Sequence, residues 1–514
     1  MRISVVLKFL AVLTFVVTLS MCIPLFYAVF RQEADVRAFA VSIGLGMTVA
    51  AAFYGLGRGG DLSRMGPREA MASVALSWVA ASAVSGLPYL LHGCAPTYTD
   101  AFFEAMSGFS TTGSTILVNI DPLPGGLLFW RGFTHWLGGM GIIVLTLTLL
   151  PMIGTGGFQL YSAEVPGLVH EKFTPRMRQT ATILWRLYVG FTAILTVLLL
   201  LGGMGPFDAV MHAMGTISTG GFSPYNASLA HFDNAYFDWV ITIFMFLSGA
   251  NFVLHYRAIR GRSIGVFPRD PEFALYFAFV VAFSLLVSCG LLANGTYSGF
   301  GDALRFGAFQ VVSLVTTTGF VSANYEIWPV FPKALLFLCL FPGGCAGSTS
   351  GAVKQIRLLV LGRHMMRQFK RTRSPRAVVA IRLGDVSLEV EALSSCLAFF
   401  GLYLLVFAVG VFGITLFEPD LFTAISGVAA TLGNVGPGFG SLGAAGNFAS
   451  QAAPAKWIYS FLMLCGRLEL FTVFVLFTRA YWSDGILYDR PLRPRGSAGT
   501  TVPESGGSIC ASSS

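Results

Sequence analysis

Charge is scarce in this chain: of 514 residues only 11% are Asp, Glu, Lys or Arg, while 54% are hydrophobic. A soluble domain carries about 25% charged residues, so the composition excludes an ordinary soluble protein. Mean hydropathy of +0.70 and many apolar runs of spanning length make the chain a polytopic membrane protein. Metal-ligand spacing is also missing. The eight cysteines are scattered, and Cys22, Cys289, Cys339, Cys396 and Cys465 lie within apolar runs, where they read as small hydrophobes. The seven histidines form no His-Glu-x-x-His or comparable cluster, which argues against a metal site and a bound cofactor. No nucleotide fingerprint is present. Acids and ligands at catalytic spacing are absent too, so an enzyme built on Glu104, His135 or His212 is the weakest reading. The net charge of +8 does not point to nucleic acid, because the basic residues fall in alternate loops, as membrane topology demands.

Glycine, by contrast, is plentiful, with 59 residues. Most of these suit close helix packing in a membrane. Four stand in a pattern of their own. The short apolar stretch 101–106 is too brief to cross a bilayer and reads as a re-entrant half-helix. It leads into Thr111-Thr112-Gly113-Ser114, small residues of the kind tolerated at membrane depth only where protein or water covers the backbone. Ser218-Thr219-Gly220-Gly221, Thr317-Thr318-Gly319-Phe320 and Asn434-Val435-Gly436-Pro437 each follow a similar segment and precede a new spanning run. Centred on Gly113, Gly220, Gly319 and Gly436, the loops recur at roughly 100 to 120 residues, as one repeated structural unit does.

In chain order, segments 1–30 and 36–57 read as a helix pair outside the repeats, followed by basic residues Arg58, Arg64 and Arg68. The expected fold is all-α: four pseudo-repeats of helix, re-entrant pore helix, filter loop and return helix around one pore. The expected boundaries are 1–69 for the appendage, then 70–180, 181–270, 271–385 and 386–485 for the repeats, and 486–514 for a basic, then disordered tail. Return helices are expected over 127–150, 237–254 and 457–477. The third return, 330–361, is too long for one straight span and is interrupted from Gly343 to Gly351. Basic clusters follow each repeat: Lys172, Arg176 and Arg178; Arg257, Arg260 and Arg262; Arg363, Arg367, Lys370, Arg371, Arg373, Arg376 and Arg382; and Arg490, Arg493 and Arg495. All fall on one face, which the positive-inside rule assigns to the cytoplasm together with the N-terminus. The other face carries Asp100, Asp121, Asp208, Asp233, Asp302, Glu326, Glu418 and Asp420.

Thr-Thr-Gly alone reads equally well as a helix C-cap. Four matched loops favour an ion pathway, because backbone carbonyls can replace an ion's water shell and hard cations prefer oxygen. Glycine lets the backbone turn where an L-residue resists. Thr111, Ser218 and Thr317 are placed to add hydroxyl oxygens. The outer acids serve either as helix N-terminal caps or to concentrate cations at a mouth. Small polar residues in the break, among them Gly343, Gly344, Gly347, Ser348 and Gly351, suit a mobile plug, with Lys354 just beyond it either part of that plug or a snorkelling side chain. Arg467 lies deep in an apolar run, where charge usually faces a pore or a partner. Glu469, two residues on, is badly placed to pair with it on a helix.

Five motifs together carry a resemblance: Phe103-Glu-Ala-Met-Ser-Gly-Phe-Ser-Thr-Thr-Gly113, His135-Trp-Leu-Gly-Gly-Met-Gly141, Gly343-Gly-Cys-Ala-Gly-Ser-Thr349, Asn434-Val-Gly-Pro-Gly438 and Gly466-Arg-Leu-Glu469. On these the chain resembles the Trk/Ktr/HKT superfamily of cation transporters, most of all its bacterial TrkH-type membrane subunits, over nearly its whole length. The resemblance implies a potassium filter at the four loops, a gating loop at Gly343 to Gly351, a constricting arginine at Arg467 and a homodimer of complete pores. It also implies a cytosolic, nucleotide-binding regulatory ring (TrkA-like) docked on the basic loops in a bacterial inner membrane. Glycine at all four centres resembles potassium-selective members, whereas some plant relatives carry serine at the first and favour sodium. A sodium-permeable pathway and a proton- or sodium-coupled symporter stay open as alternatives.

Overall fold

The computed structural model describes residues 1–141, 177–374, 382–383, 386–387 and 390–482. The basic residues Lys172, Arg176, Arg376 and Arg490 to Arg495, and the tail from 486, lie outside them. The regular structure of the described residues is helical apart from a two-residue antiparallel pairing of Arg382–Leu383 with Val386–Ser387 and a single parallel bridge between Pro342 and Val353. Among the described residues, six helices are long and apolar enough to cross a membrane, or eight if each of two bent pairs counts as one span.

The N-terminal pair comprises Ile3–Ser20 running into Cys22–Arg31, then Val36–Leu56. It is fastened to the first repeat where that repeat begins. Pro67 opens the outward helix Pro67–Ser85, and the Glu69 carboxylate accepts the Gly66 amide at 3.1 Å and the Arg2 amide at 2.9 Å. This is a capping-box arrangement extended to a second segment.

The repeating unit then appears four times. Outward helices are Pro67–Ser85 continuing through Leu87–His92, Met177–Leu201, Pro271–Ala293 and Val390–Ile414. Pore helices are Tyr98–Phe109, Pro206–Ile217, Phe300–Val315 and Leu421–Leu432. The first is buried almost throughout, and the third and fourth are buried beyond exposed opening turns at Phe300 and at Leu421 and Phe422, so they form much of the interior of the protein. The outward helices instead expose large apolar side chains, such as Leu404, Leu405, Val409 and Phe412, as a lipid-facing surface does. Two large apolar cores result, one joining the N-terminal pair with repeats 1 and 4, the other joining repeats 2 and 3.

The return helices depart from expectation. Only the third was expected to be interrupted, yet the second breaks between Ala235–Ser248 and Phe252–Gly261 with a bend of 97°. The fourth breaks between Ala453–Leu468 and Leu470–Phe477 with a bend of 116°. In the first, Gly125–Trp136 passes into a wide π-type turn over Leu137–Gly141, and the remainder of the expected return lies outside the described residues. The third stops at Leu338 and restarts at Gln355. In repeats 2 and 3 the break supplies backbone groups to its neighbours, whereas the break in repeat 4 is flanked by the side chains that do so, Arg467 and Glu469.

Candidate ion pathway

Each pore helix ends in the same backbone turn. Thr111, Thr219, Thr317 and Asn434 are left-handed, with φ of 51, 54, 57 and 53°. Two residues later Gly113, Gly221, Gly319 and Gly436 have φ of 87, 80, 79 and 104°. Between them, the amides of Thr112, Gly220, Thr318 and Val435 reach back to the carbonyls of Ser107, Gly215, Ser313 and Ala430 at 2.8–2.9 Å. That is the Schellman closure of a helix C-terminus, here with a non-glycine left-handed residue at a cost of about 1–3 kcal/mol each. The C-cap and the loop are thus one feature, and the helix-stop reading does not compete with the pathway reading.

This backbone pattern moves the second loop by one residue. Gly221, not Gly220, matches Gly113, Gly319 and Gly436. Gly220 matches Thr112, Thr318 and Val435, and the inner hydroxyl position falls to Thr219 rather than Ser218, which hydrogen-bonds Met214 and Gly215 carbonyls within its own helix end. Phe222 accordingly stands with Ser114, Phe320 and Pro437. With two adjacent glycines, only the sign of φ separates the alternatives.

The four loops close a ring. A Cβ placed on Gly113 would press on the Gly220 carbonyl oxygen, one on Gly221 on that of Thr318, one on Gly319 on that of Val435, and one on Gly436 on that of Thr112. Each glycine therefore abuts the same carbonyl of the next loop, in the order 1, 2, 3, 4 and back to 1. Across the last seam the Ser114 hydroxyl donates to the Gly436 carbonyl at 2.9 Å, and the Asn434 side-chain Nδ2 donates to the Thr112 hydroxyl at 2.9 Å.

Behind the ring, on three of the four pore helices, the side chain seven residues before the left-handed position holds the chain that leaves the loop. Glu104 accepts from the Ile116 amide at 2.9 Å and pairs with buried Arg131 at 2.9 Å. His212 meets the Ser223 hydroxyl at 3.2 Å, and Gln310 donates to the Ser322 hydroxyl at 3.4 Å. The fourth position is Gly427, where a side chain would strike Leu442 and Tyr459. Arg131 also donates to the Ser223 carbonyl at 3.0 Å, so the Glu104–Arg131 pair joins loops 1 and 2.

Around the N-terminal ends of the pore helices the acids are less free than their spacing suggests. Asp100 is buried and paired with Lys456 at 2.6 Å, and Asp233 and Asp238 share Arg305. Asp420 caps the fourth pore helix, and the Thr423 hydroxyl and amide hold its carboxyl below the usual range. Burial pushes the Glu326 carboxyl up, against the pull of the Gly440 amide. Asp121 and Asp302 are exposed.

On the other side of the ring lies the interrupted third return. Its limbs are held together by Gly343 N–H to the Val353 carbonyl at 2.8 Å and Gln355 N–H to the Gly344 carbonyl at 3.1 Å. The break in the second return lends its unpaired backbone to this loop. The Gly249 carbonyl accepts from the Cys345 amide at 2.8 Å, and the Phe252 amide donates to the Gly347 carbonyl at 3.1 Å. From the third outward helix, one Glu272 oxygen receives both the Ala346 and Ile356 amides, at 2.6 and 3.0 Å. The Thr349 hydroxyl reaches the Ile217 carbonyl at the end of pore helix 2, and the Gly351 amide donates to the Thr317 hydroxyl at 2.7 Å. Ser348 bonds Ser350 at 2.8 Å, and Lys354 turns back onto the Ser350 carbonyl rather than snorkelling away. Arg467 donates to the carbonyls of Thr349 at 2.8 Å, Gly138 at 2.8 Å and Gly139 at 2.7 Å, which ties the loop to the first and fourth returns. Glu469 pairs with Arg357 instead, at the φ = 62° kink that ends the helix carrying Arg467.

Four re-entrant helices presenting a closed ring of carbonyls, with a loop lying across one side of it, define a multi-pass membrane protein of the cation-transport class. The family described as TrkH, cation transport protein, matches residues 62–486. The chain is 41% identical over 469 residues to the Trk system potassium uptake protein TrkH of Escherichia coli K12, covering 90% of this chain and 96% of that protein. It is 36% identical to the TrkH of Halomonas elongata over 484 residues, 94% of this chain and 100% of that one. The crystal structure of the potassium transporter TrkH from Vibrio parahaemolyticus superposes with a TM-score of 0.84 at 35% identity, covering 94% of this chain and 100% of that chain. The chain belongs to the TrkH family.

Proposed function

We propose that this protein takes up potassium across a bacterial inner membrane through the ring of four loops, and that it is not an enzyme. The observation that carries the reading is the cyclic abutment of Gly113, Gly221, Gly319 and Gly436 on the carbonyls of the next loop. A ring of preset carbonyls replaces a cation's hydration oxygens without reorganising, and hard monovalent ions take oxygen ligands. The C-terminal ends of four pore helices add their partial negative charge toward the same point. In this reading Thr111, Thr112, Gly113 and Ser114 with their counterparts in the other loops hold the ion, and Gly343 to Gly351 with Lys354 and Arg467 form the gate. The N-terminus faces the cytoplasm, each chain of a homodimer carries a complete pore, and a TrkA-like nucleotide-binding ring docks on the basic inner face. The chain needs no bound cofactor of its own; potassium is cargo.

The test is potassium and sodium uptake into liposomes holding the purified protein, with and without an imposed proton gradient. Potassium flux exceeding sodium flux without the gradient supports a gated, channel-like pathway. Uphill flux driven by protons makes it a symporter, and equal potassium and sodium flux makes it an unselective cation pathway.

A further inference from the structure

The second loop of the ring has no side chain where the others have one. At that position stand Thr112, Gly220, Thr318 and Val435. In loop 1 the Thr112 hydroxyl meets Ser110 at 2.6 Å, in loop 3 the Thr318 hydroxyl meets Thr316 at 2.8 Å, and in loop 4 Val435 is fully buried. Each of these side chains props its loop from behind. Gly220 props nothing. Nor does its backbone demand glycine, since it is absent from the positive-φ residues that include Gly221.

What demands glycine there is a ring from another helix. A Cβ on Gly220 would fall on Nδ1, Cγ and Cε1 of His135. His135 is fully buried near the end of the first return helix, Gly125–Trp136. Its imidazole stacks on Phe222 with centroids 4.0 Å apart and planes 15° apart, and its Nδ1 accepts the Phe222 amide at 3.5 Å. The Arg131 guanidinium lies 4.2 Å from the same Phe222 ring. An imidazole thus fills the place that a threonine or valine side chain fills in the other loops, and it holds the residue that follows Gly221.

We infer that His135 is a positioning residue for ion selection: it is the prop of the second filter loop, standing in for the side chain that Gly220 lacks. The inference rests on the filter reading above. Its role is geometric, since a carbonyl ring discriminates between ions of different size only while all four segments keep their spacing.

The structure supplies its own swap. Ser218 occupies the place of Ser110 and Thr316, so Gly220→Thr would set a hydroxyl beside Ser218 as in loops 1 and 3, once His135 is cut back. The experiment measures the potassium/sodium flux ratio in liposomes for His135→Ala, Gly220→Thr, the double variant and Gly113→Ser. The expected result is a ratio lowered roughly five- to tenfold in each single variant, the factor equivalent to one ordinary hydrogen bond, with most of it regained in the double variant. Regain of selectivity by a second substitution is a readout that a merely structural histidine would not give. If His135→Ala fails to assemble, Gly220→Thr against the double variant makes the same comparison. An unchanged ratio in His135→Ala beside a lowered one in Gly113→Ser would overturn the inference and leave the filter standing. A lowered ratio in both singles with no regain in the double variant would also overturn it. No change in any variant, Gly113→Ser included, would overturn the filter reading itself.

Discussion

The amide of Gly351 donates to the hydroxyl of Thr317 at 2.7 Å, which joins the inner loop of the third return directly to the third segment of the carbonyl ring. Thr317 is also one of the four left-handed residues on which the ring is built. This hydroxyl thus links the proposed gate to the proposed filter, beside the close approach of Gly351 to Gly433 and Asn434 in the fourth loop. Thr317→Val keeps the shape and removes the acceptor, leaving a buried amide unpaired at about 1–3 kcal/mol. The closed position of the loop loses that much, so basal ion flux in liposomes should rise about five- to 150-fold. Thr317→Ser retains the oxygen and should behave close to the parent.

Arg467 acts on the same loop from the opposite side. Its three carbonyl partners, on Thr349, Gly138 and Gly139, belong to two different return segments. Hydrogen bonds from a charged donor are worth about 1.5–3 kcal/mol. Arg467→Ala should raise flux of potassium and sodium alike, because it frees the plug and leaves the ring untouched. Arg467→Lys should fall between, since one ammonium cannot reproduce a planar fork. A single-channel or liposome recording in which Arg467→Ala conducts less than the parent would count against Arg467 as a restraint on the loop.

The Glu104–Arg131 pair is buried to 0% and 2% exposure and braces two loops at once. Removing one partner strands a buried charge at a cost of about 3–5 kcal/mol. Glu104→Ala should lower the melting temperature of the protein in detergent by several degrees, and Arg131→Met should do the same. The double variant should recover part of that loss, since it leaves no lone charge.

Much of this was legible in the chain. The four loops announce themselves because left-handed turns select glycine, and because a run of small hydroxyl residues between apolar spans has few other uses. The register of loop 2 was hidden by its paired glycines, Gly220 and Gly221. They differ only in φ, and the neighbour that settles their roles, His135, lies 85 residues earlier in the chain. The break in the second return left a trace in Gly249 and Asn251, whose side chain caps the following helix at 2.8 Å. The break at Glu469 left none, because its partner Arg357 comes from a separate segment. The place of Asp100, Asp208 and Asp302 in the first turns of pore helices was legible, but the partner of Asp100 was not: Lys456 sits 356 residues away.

The most direct test of the ring is the potassium/sodium flux ratio of Gly113→Ser beside the parent. A serine Cβ at this position presses on the Gly220 carbonyl and resists φ = 87°. The account predicts that sodium flux rises relative to potassium, at least about fivefold if one carbonyl contact is lost. A ratio that stays at the parent value, with the variant folded and conducting, would contradict it.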